Sequence, residues 1–183
     1  MTRTPREAHA GRLNLLVGGD AATLEASRPI LSCFAENITH VGPVGAGHRL
    51  KFLHNFVSLG FIALLAEAAA CAERTGVSAD VFVDVLERGG GAGTALDRLR
   101  PYLTKGDADA LRFTLANAQK DLTYYGAMAR ESGATAAIAD AVIDTVAAAS
   151  AELGGSVFVP ELVTFLSQRV GRDDRPVEAR RPK

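Results

Sequence analysis

Hydrophobic and polar positions divide the chain into a short first part with strand-like runs and a longer part with helical spacing. Apolar runs at 12–20 and 38–41 lead into glycine turns, which is typical of strands. After Gly47 the apolar spacing is helical, and glycine, serine and proline signals separate six or seven segments. The pattern predicts a mainly α protein, an all-helical bundle preceded by two short strands.

The same pattern suggests how the chain is organised. Two strands do not make an independent sheet, so 1–44 is interpreted as the end of a larger domain and 45–170 as a complete helical domain. The segment 171–183 contains charged residues and prolines without apolar anchors. We therefore expect it to be a disordered tail.

The longest predicted helix carries a lysine in apolar surroundings. Lys51 and Asn55 are four residues apart, which places them one turn apart on the same face. The chain has four lysines against sixteen arginines, so a lysine here is not a product of composition. An ammonium group in an apolar setting is costly unless it is paired or functional. The structural alternative is a lysine whose stem packs on apolar side chains while its charge reaches solvent.

Other motifs give weaker evidence of a functional site. Gly45 and Gly47 stand between a strand and a helix, as in a phosphate-binding loop, but Leu50 replaces the third glycine of that fingerprint. A sharp turn into the helix is the favoured interpretation. The glycines at 89–93 follow no strand and predict a hinge between helices. The four histidines lack zinc-like spacing, so we expect no metal site.

Composition narrows the class of protein. A hydrophobic content of 48% with 22% charged residues is that of a globular protein, and a net charge of −1 gives no reason to expect nucleic acid or anionic membranes as partners. No leader-like pattern opens the chain, and the apolar run Phe56–Ala66 is too short to span a bilayer. We expect a cytoplasmic protein in which Cys33 and Cys71 are reduced, buried thiols.

Four motifs together resemble the β-hydroxyacid dehydrogenases of the 3-hydroxyisobutyrate dehydrogenase type, over residues 3–154. They are Gly-Arg-Leu-Asn-Leu-Leu-Val-Gly-Gly-Asp (11–20), Gly-x-Gly-x-x-x-Lys-x-x-x-Asn (45–55), Ala-Glu-Ala (66–68) and Lys-Asp-Leu (120–122). The resemblance implies a Rossmann-type domain for NAD or NADP followed by a helical domain with the catalytic lysine. This chain resembles the second half, with 1–44 as the remnant of the dinucleotide-binding domain.

The resemblance also implies residue roles. Lys51 would be the general acid/base in hydride transfer to or from a small hydroxy acid or semialdehyde. Asn55, with Arg3 and Thr4 of the segment that resembles the substrate loop, would bind the substrate. Lys120 would contact the cofactor near the nicotinamide ribose. The helical domain would also form a homodimer or larger homo-oligomer.

Because the glycine-rich cofactor fingerprint is missing from the sequence, the expectation is that this chain alone binds NAD(P) poorly and is inactive. Three arrangements remain open. The chain could be a truncated reading of a longer enzyme, a subunit completed in trans by another Rossmann chain, or a non-catalytic helical dimerisation module derived from such an enzyme. The sequence identifies neither the substrate nor the choice between NAD and NADP.

Overall fold

A computed structural model describes residues 1–3 and 5–169. Thr4 and the tail predicted at 171–183 lie outside the described residues. The helices and strands follow in chain order: α1 (Pro5–His9), β1 (Leu13–Val17), α2 (Ala21–Leu31), β2 (Ala35–His40), α3 (Ala46–Arg74), α4 (Ala79–Glu87), α5 (Thr94–Lys105), α6 (Leu115–Glu131), α7 (Ala137–Leu153) and α8 (Leu162–Gln168). The predicted helical bundle preceded by two short strands is confirmed.

The first part is a β1–α2–β2 unit. The two strands pair in parallel, and parallel strands need a crossover connection, which α2 provides. Asp20 caps α2, since its carboxylate accepts a hydrogen bond of 2.8 Å from the backbone amide of Thr23. Leu13, Leu15 and Ala35 form a small apolar cluster of their own.

Glycines join this unit closely to α3. A Cβ at Gly47 would lie 2.3 Å from the carbonyl oxygen of Leu16, and one at Gly18 would lie 2.5 Å from that of Pro43. Gly45, at the turn, has a φ of +88°, a conformation that favours glycine. Close backbone packing between β1 and the start of α3 thus accounts for these glycines, as the sharp-turn interpretation requires.

Helix α3 is the central element of the bundle. One face of α3 packs against α6 and α8 and contributes Leu59, Ile62 and Ala66 to the main core. Leu122 of α6 and Phe165 of α8 are almost fully buried in the same core. The helix ends next to Thr75 and Gly76, and the φ of Gly76 is +80°. This is the glycine stop that the sequence predicts.

The rest of α3 differs from expectation. Apolar residues surround the axis of α3 in the sequence, which is typical of a helix buried on all sides, but in the structure one stripe is exposed, with residues between 38% and 62% accessible. This apolar stripe consists of Leu50, Leu53, Val57, Phe61 and Leu64. By length and composition alone α3 could cross a membrane, a property that the long core helices of soluble proteins share. The face of α3 described above forms the core of the bundle.

The cysteine prediction is wrong in one respect. Cys33 and Cys71 are free thiols, as expected, but both are exposed rather than buried. Cys71 lies on the outer side of α3 near its end, and Cys33 lies in the turn between α2 and β2. Apolar neighbours in the sequence did not indicate burial there, because neither segment is covered on that side.

Candidate active site

A cavity of about 710 Å³ runs along one face of α3. Its other walls come from residues 1–3, from the glycine-rich segment 90–93 between α4 and α5 and the start of α5, and from Phe113 and Asp121. Lys51 and Asn55 line it at the beginning of α3, and apolar residues line it further along the helix. The helical spacing that selected Lys51 and Asn55 in the sequence thus places both on the cavity wall.

Lys51 is half-buried in the second turn of α3. Within residues 1–3 and 5–169, no carboxylate forms an ion pair with its ammonium group. Burial and the positive charge of Lys51 lower the pKa of the Met1 amino group, and Met1 and Lys51 both line the cavity. An unpaired lysine facing a cavity is available to a ligand.

Asn55 is held by a buried carboxylate. Its side-chain amide donates a 2.6 Å hydrogen bond to Oδ2 of Asp121, and Asp121 is only 4% exposed. On the other side, Oδ1 of Asn55 lies 3.0 Å from Nδ1 of His54. A carboxylate accepts hydrogen bonds and cannot donate them. The atom of Asn55 that faces Asp121 is therefore the amide nitrogen, which fixes the orientation of the Asn55 amide.

Two aromatic contacts join α3 to α6 around this hydrogen bond. Phe56 stacks on Tyr125 with ring centroids 4.1 Å apart, and Phe52 lies 5.5 Å from Tyr124 in a tilted arrangement. Both phenylalanines lie within one turn of Asn55, and both tyrosines lie one turn after Asp121. The packed rings set the distance between the helices and so position the Asn55–Asp121 pair.

Lys120 lies beside this pair at the protein surface. Its Nζ atom is 3.2 Å from Oδ1 of Asp121, and the side chain is about half exposed (49%). Thr114, which accepts a 3.3 Å hydrogen bond from the amide of Asn117, caps the start of the same helix. One end of α6 thus brings Lys120 and Asp121 to Asn55.

Asp121 belongs to the candidate site but is not among the residues predicted from the sequence. The Lys-Asp-Leu motif was recognised, but its chemistry was assigned to Lys120 alone. The sequence does contain an indication of this residue. One helix face is formed, by its spacing, from Ala118, Asp121, Leu122 and Tyr125. A carboxylate on that otherwise apolar face indicates a buried, partnered group.

Arg3 lines the cavity, but its guanidinium is engaged elsewhere. Nη1 donates a 2.5 Å hydrogen bond to the carbonyl oxygen of Arg12 and forms an ion pair with Glu36. Neighbouring Thr2 is almost buried and pairs with β1 through a 3.0 Å hydrogen bond from its amide to Asn14. The structure brings Arg3 to the cavity together with Lys51 and Asn55, whereas Thr4 lies outside the described residues.

The charged groups of the cavity wall are unevenly balanced. Among the described residues that line it, Arg3, Lys51 and Arg98 carry positive charge and Asp121 alone carries negative charge. Asp121 is already paired with Asn55 and Lys120, and Arg3 is paired with Glu36. Among the described residues that line the cavity, Lys51 and Arg98 are therefore the positive groups without an ion pair. An anionic ligand is therefore the electrostatically favoured occupant.

Lys120, which was predicted to contact a cofactor, is exposed beside the buried Asp121 and is not among the residues that line the cavity. The glycines at 45 and 47 lie between β2 and α3 and are accounted for by the turn and by the contact with β1, whereas the segment 89–93 follows a helix rather than a strand. No group of three or more metal-ligating side chains occurs in the described part of the chain.

Comparisons with known proteins agree with this picture. A family model described as NAD-binding of NADP-dependent 3-hydroxyisobutyrate dehydrogenase matches residues 45–165. The chain is similar to an NAD-dependent L-serine dehydrogenase of Pseudomonas aeruginosa, with 37% identity over 95 residues that make up 52% of this chain and 32% of the relative. It is also similar to 3-sulfolactaldehyde reductase of Escherichia coli, with 38% identity over 84 residues, 46% of this chain and 28% of the relative.

A solved structure shows the same architecture. Mycobacterium tuberculosis 3-hydroxyisobutyrate dehydrogenase with L-serine superposes with a TM-score of 0.80 at 29% identity, covering 88% of this chain and 57% of that one. The chain therefore matches about a third of the length of the two curated relatives and somewhat more than half of the solved structure.

Proposed function

Because the chain belongs to the 3-hydroxyisobutyrate dehydrogenase family of β-hydroxyacid dehydrogenases, we propose that it is the helical, proton-transferring part of an NAD(P)-dependent oxidoreductase. Its substrate is a small hydroxy acid or the corresponding semialdehyde. One observation carries the proposal: Lys51 and the Asn55–Asp121 pair face the same positively lined cavity. A structural lysine would need neither the cavity nor the oriented amide beside it.

Lys51 acts as the general acid/base. Oxidation of the alcohol requires that its hydroxyl proton leave as the carbonyl forms, and a neutral Lys51 amine takes that proton at Nζ. In the reverse direction the ammonium group returns the proton to the carbonyl oxygen. When bound, NAD(P) supplies the hydride acceptor or donor.

The remaining residues bind and orient. Asn55, fixed by Asp121, hydrogen-bonds the substrate hydroxyl or carboxylate. Arg3 and Thr4 bind the carboxylate, for which the Arg3 guanidinium has to share or exchange its contact with Glu36. Lys120, exposed beside Asp121, would help to hold the cofactor on its nicotinamide side. The names of the relatives support this substrate class, since L-serine and 3-sulfolactaldehyde are a small hydroxy acid and a small aldehyde that carry an anionic group.

The exposed apolar stripe of α3 supports a homodimer. Its five residues follow one another at spacings of three and four, which is the pattern of helices that pack side by side. Leu53→Glu is expected to shift the chain from dimer to monomer in light scattering after gel filtration, because it places a charge in the interface. Val81→Glu, at another exposed apolar position, should leave the dimer intact. A monomeric wild-type chain contradicts this assignment.

The stripe also favours the second candidate, a non-catalytic dimerisation module in the cytoplasm. The two functions are separated by assaying the protein purified from its own host. We expect reduction of NAD(P)⁺ in the presence of L-serine or 3-hydroxyisobutyrate, from a species whose intact mass exceeds 19.2 kDa or that copurifies with a cofactor-binding subunit. A pure chain of 19.2 kDa that dimerises but neither binds NAD(P)H nor turns over hydroxy acids would identify the module.

A further inference from the structure

A second positive group lines the cavity on a different helix from Lys51. Arg98 of α5 is one of the lining residues and is partly buried. Within residues 1–3 and 5–169, its guanidinium forms neither an ion pair nor a hydrogen bond. A partly desolvated guanidinium without a partner is unfavourable, and an anion that binds to it offsets that cost.

The carboxylates of α5 and of the end of α4 pair with a different arginine. Arg100 forms ion pairs with Asp97 of its own helix and with Glu87 of α4. Arg98 and Arg100 point in directions about 160° apart, since successive helical residues are about 100° apart. Arg98 therefore faces away from the two carboxylates and toward the cavity.

The same face of α5 offers a hydroxyl beside this guanidinium. Thr94 lines the cavity one turn before Arg98, and residues four apart are neighbours on a helix. The Thr94 hydroxyl forms no hydrogen bond with any other described residue, and a Cβ built at the preceding Gly93 would meet no atom within 4 Å. A guanidinium and a hydroxyl one turn apart can both donate to the oxygens of one carboxylate. This face belongs to α5 and is separate from the apolar stripe of α3.

The charges of the cavity call for more than one anionic group. Lys51 on α3 and Arg98 on α5 both lack a counter-charge, and the one carboxylate among the described lining residues, Asp121, contacts Asn55 and Lys120 instead. A ligand with one carboxylate at Lys51 leaves Arg98 unpaired. A ligand with two anionic groups supplies a partner for each.

We infer that Arg98, together with the Thr94 hydroxyl, binds a second anionic group of the substrate and selects hydroxy acids that carry two such groups. This inference rests on the proposed function and deepens it by naming the substrate class and a residue that determines it. The first carboxylate and the hydroxyl bind at Lys51 and Asn55, and the reaction at the alcohol carbon is unchanged.

The test compares 3-hydroxypropanoates that carry a carboxymethyl, carboxyethyl or carboxypropyl group on carbon 2 with their side-chain amides. Each acid and its amide have the same reacting group and nearly the same shape, and they differ in one negative charge. Titration calorimetry with the 183-residue chain at neutral pH is expected to show that the acid binds about 10- to 100-fold more tightly than its amide at one or more of the three lengths. Equal affinity of acid and amide at all three lengths, or no detectable binding of any diacid, overturns the inference.

Two variants that each remove one positive charge locate the effect. Arg98→Gln should reduce the ratio of affinities between acid and amide to less than about twofold, because the charge-assisted hydrogen bonds are lost. Arg88→Gln removes an arginine that pairs with Asp84 on α4 and lies outside the cavity, so it should preserve the ratio. If the ratio persists in an Arg98→Gln chain with an unchanged circular dichroism spectrum, the second anion binds elsewhere and the inference is wrong.

Lys51→Ala separates this inference from the proposed function. If the variant weakens acids and amides alike but the wild type does not distinguish acid from amide, the proposed function stands and the inference is wrong. If the preference for the acid depends on Arg98 while binding is indifferent to Lys51, the anion site on α5 is supported and the head group assigned in the proposed function is wrong.

Discussion

At the residue scale, the site depends on one hydrogen bond between helices that are distant in sequence. Asp121 is only 4% exposed, so water contributes little to solvating its carboxylate. The two carboxylate oxygens contact Asn55 and Lys120 instead. A buried carboxylate without donors is strongly unfavourable. The pair therefore fixes the orientation of the Asn55 amide and links α3 to α6.

Asp121→Ala should destabilise the chain by about 1–3 kcal/mol, because it leaves the part-buried Asn55 amide without its acceptor. Urea unfolding followed by circular dichroism measures the loss. Asp144→Ala removes an exposed carboxylate on α7 and should change the free energy of unfolding by less than about 0.5 kcal/mol. Equal effects of the two substitutions would show that the Asn55 contact contributes nothing.

Tyr102 is expected to make the free energy of unfolding decrease at high pH. Its hydroxyl donates a 2.6 Å hydrogen bond to Glu161 and lies 2.5 Å from Thr164. Burial and the Glu161 hydrogen bond raise the pKa of Tyr102 from 10.0 to about 12. Since the folded state holds this proton more tightly than the unfolded state, the contribution is complete below pH 10 and is lost as the pH rises toward 12.

Tyr102→Phe should therefore lower the free energy of unfolding by about 1 kcal/mol at neutral pH, since the hydrogen bond is lost. Above pH 10 the difference from wild type should shrink, because only the wild type loses the tyrosine contribution. Urea unfolding across the pH range measures both. A difference that grows above pH 10 would contradict the assignment.

The sequence predicted part of the site. Lys51 and Asn55 stood out because polar residues one turn apart on an apolar helix are conspicuous, and the structure places both on the cavity wall. The contact of Asp121 with Asn55 spans 66 residues, and helical spacing within one segment carries no information about such a pairing. The ion pair between Arg3 and Glu36 could not be predicted from the sequence for the same reason.

At the element scale, α3 packs against two parts of the molecule at once. Its start touches the backbone of β1 near Gly47, and its middle packs into the bundle around Ala66, which is fully buried. The element boundaries were well predicted because caps and stops are local signals, such as Ser78 before α4 and Gly76 after α3. The exposure of the apolar stripe could not be predicted, because the sequence pattern of a hydrophobic residue is the same whether the core or a partner covers it.

Two glycine substitutions in α3 test this description. Gly47→Ala should destabilise the chain by about 3 kcal/mol, because its Cβ would approach the Leu16 carbonyl oxygen to 2.3 Å and backbone cannot yield as a side chain does. Gly60→Ala, at a helical position with no atom within 4 Å of the new Cβ, should stabilise the chain by about 0.5–1 kcal/mol. Thermal unfolding compares the two, and the same sign for both would refute the close contact.

At the scale of the whole molecule, the chain presents surfaces that other parts of an enzyme would complete. The cavity has one positively lined end, Lys120 lies exposed beside it, and the apolar stripe of α3 borders it through Val57 and Phe61. Under the proposed function, the helical part would supply the proton and the substrate contacts, and a dinucleotide-binding domain would supply the cofactor. The chain matches only part of the length of its relatives.

The most direct test of the central claim is turnover by the protein with its cofactor-binding part present, compared between wild type, Lys51→Ala and Lys105→Ala. Lys105 is exposed at the end of α5 and lies outside the cavity, so it controls for loss of a positive charge. We expect Lys51→Ala to lower kcat by at least about 100-fold, as removal of a general acid/base does, with an unchanged circular dichroism spectrum, and Lys105→Ala to match wild type. Near-normal kcat in Lys51→Ala would contradict the account.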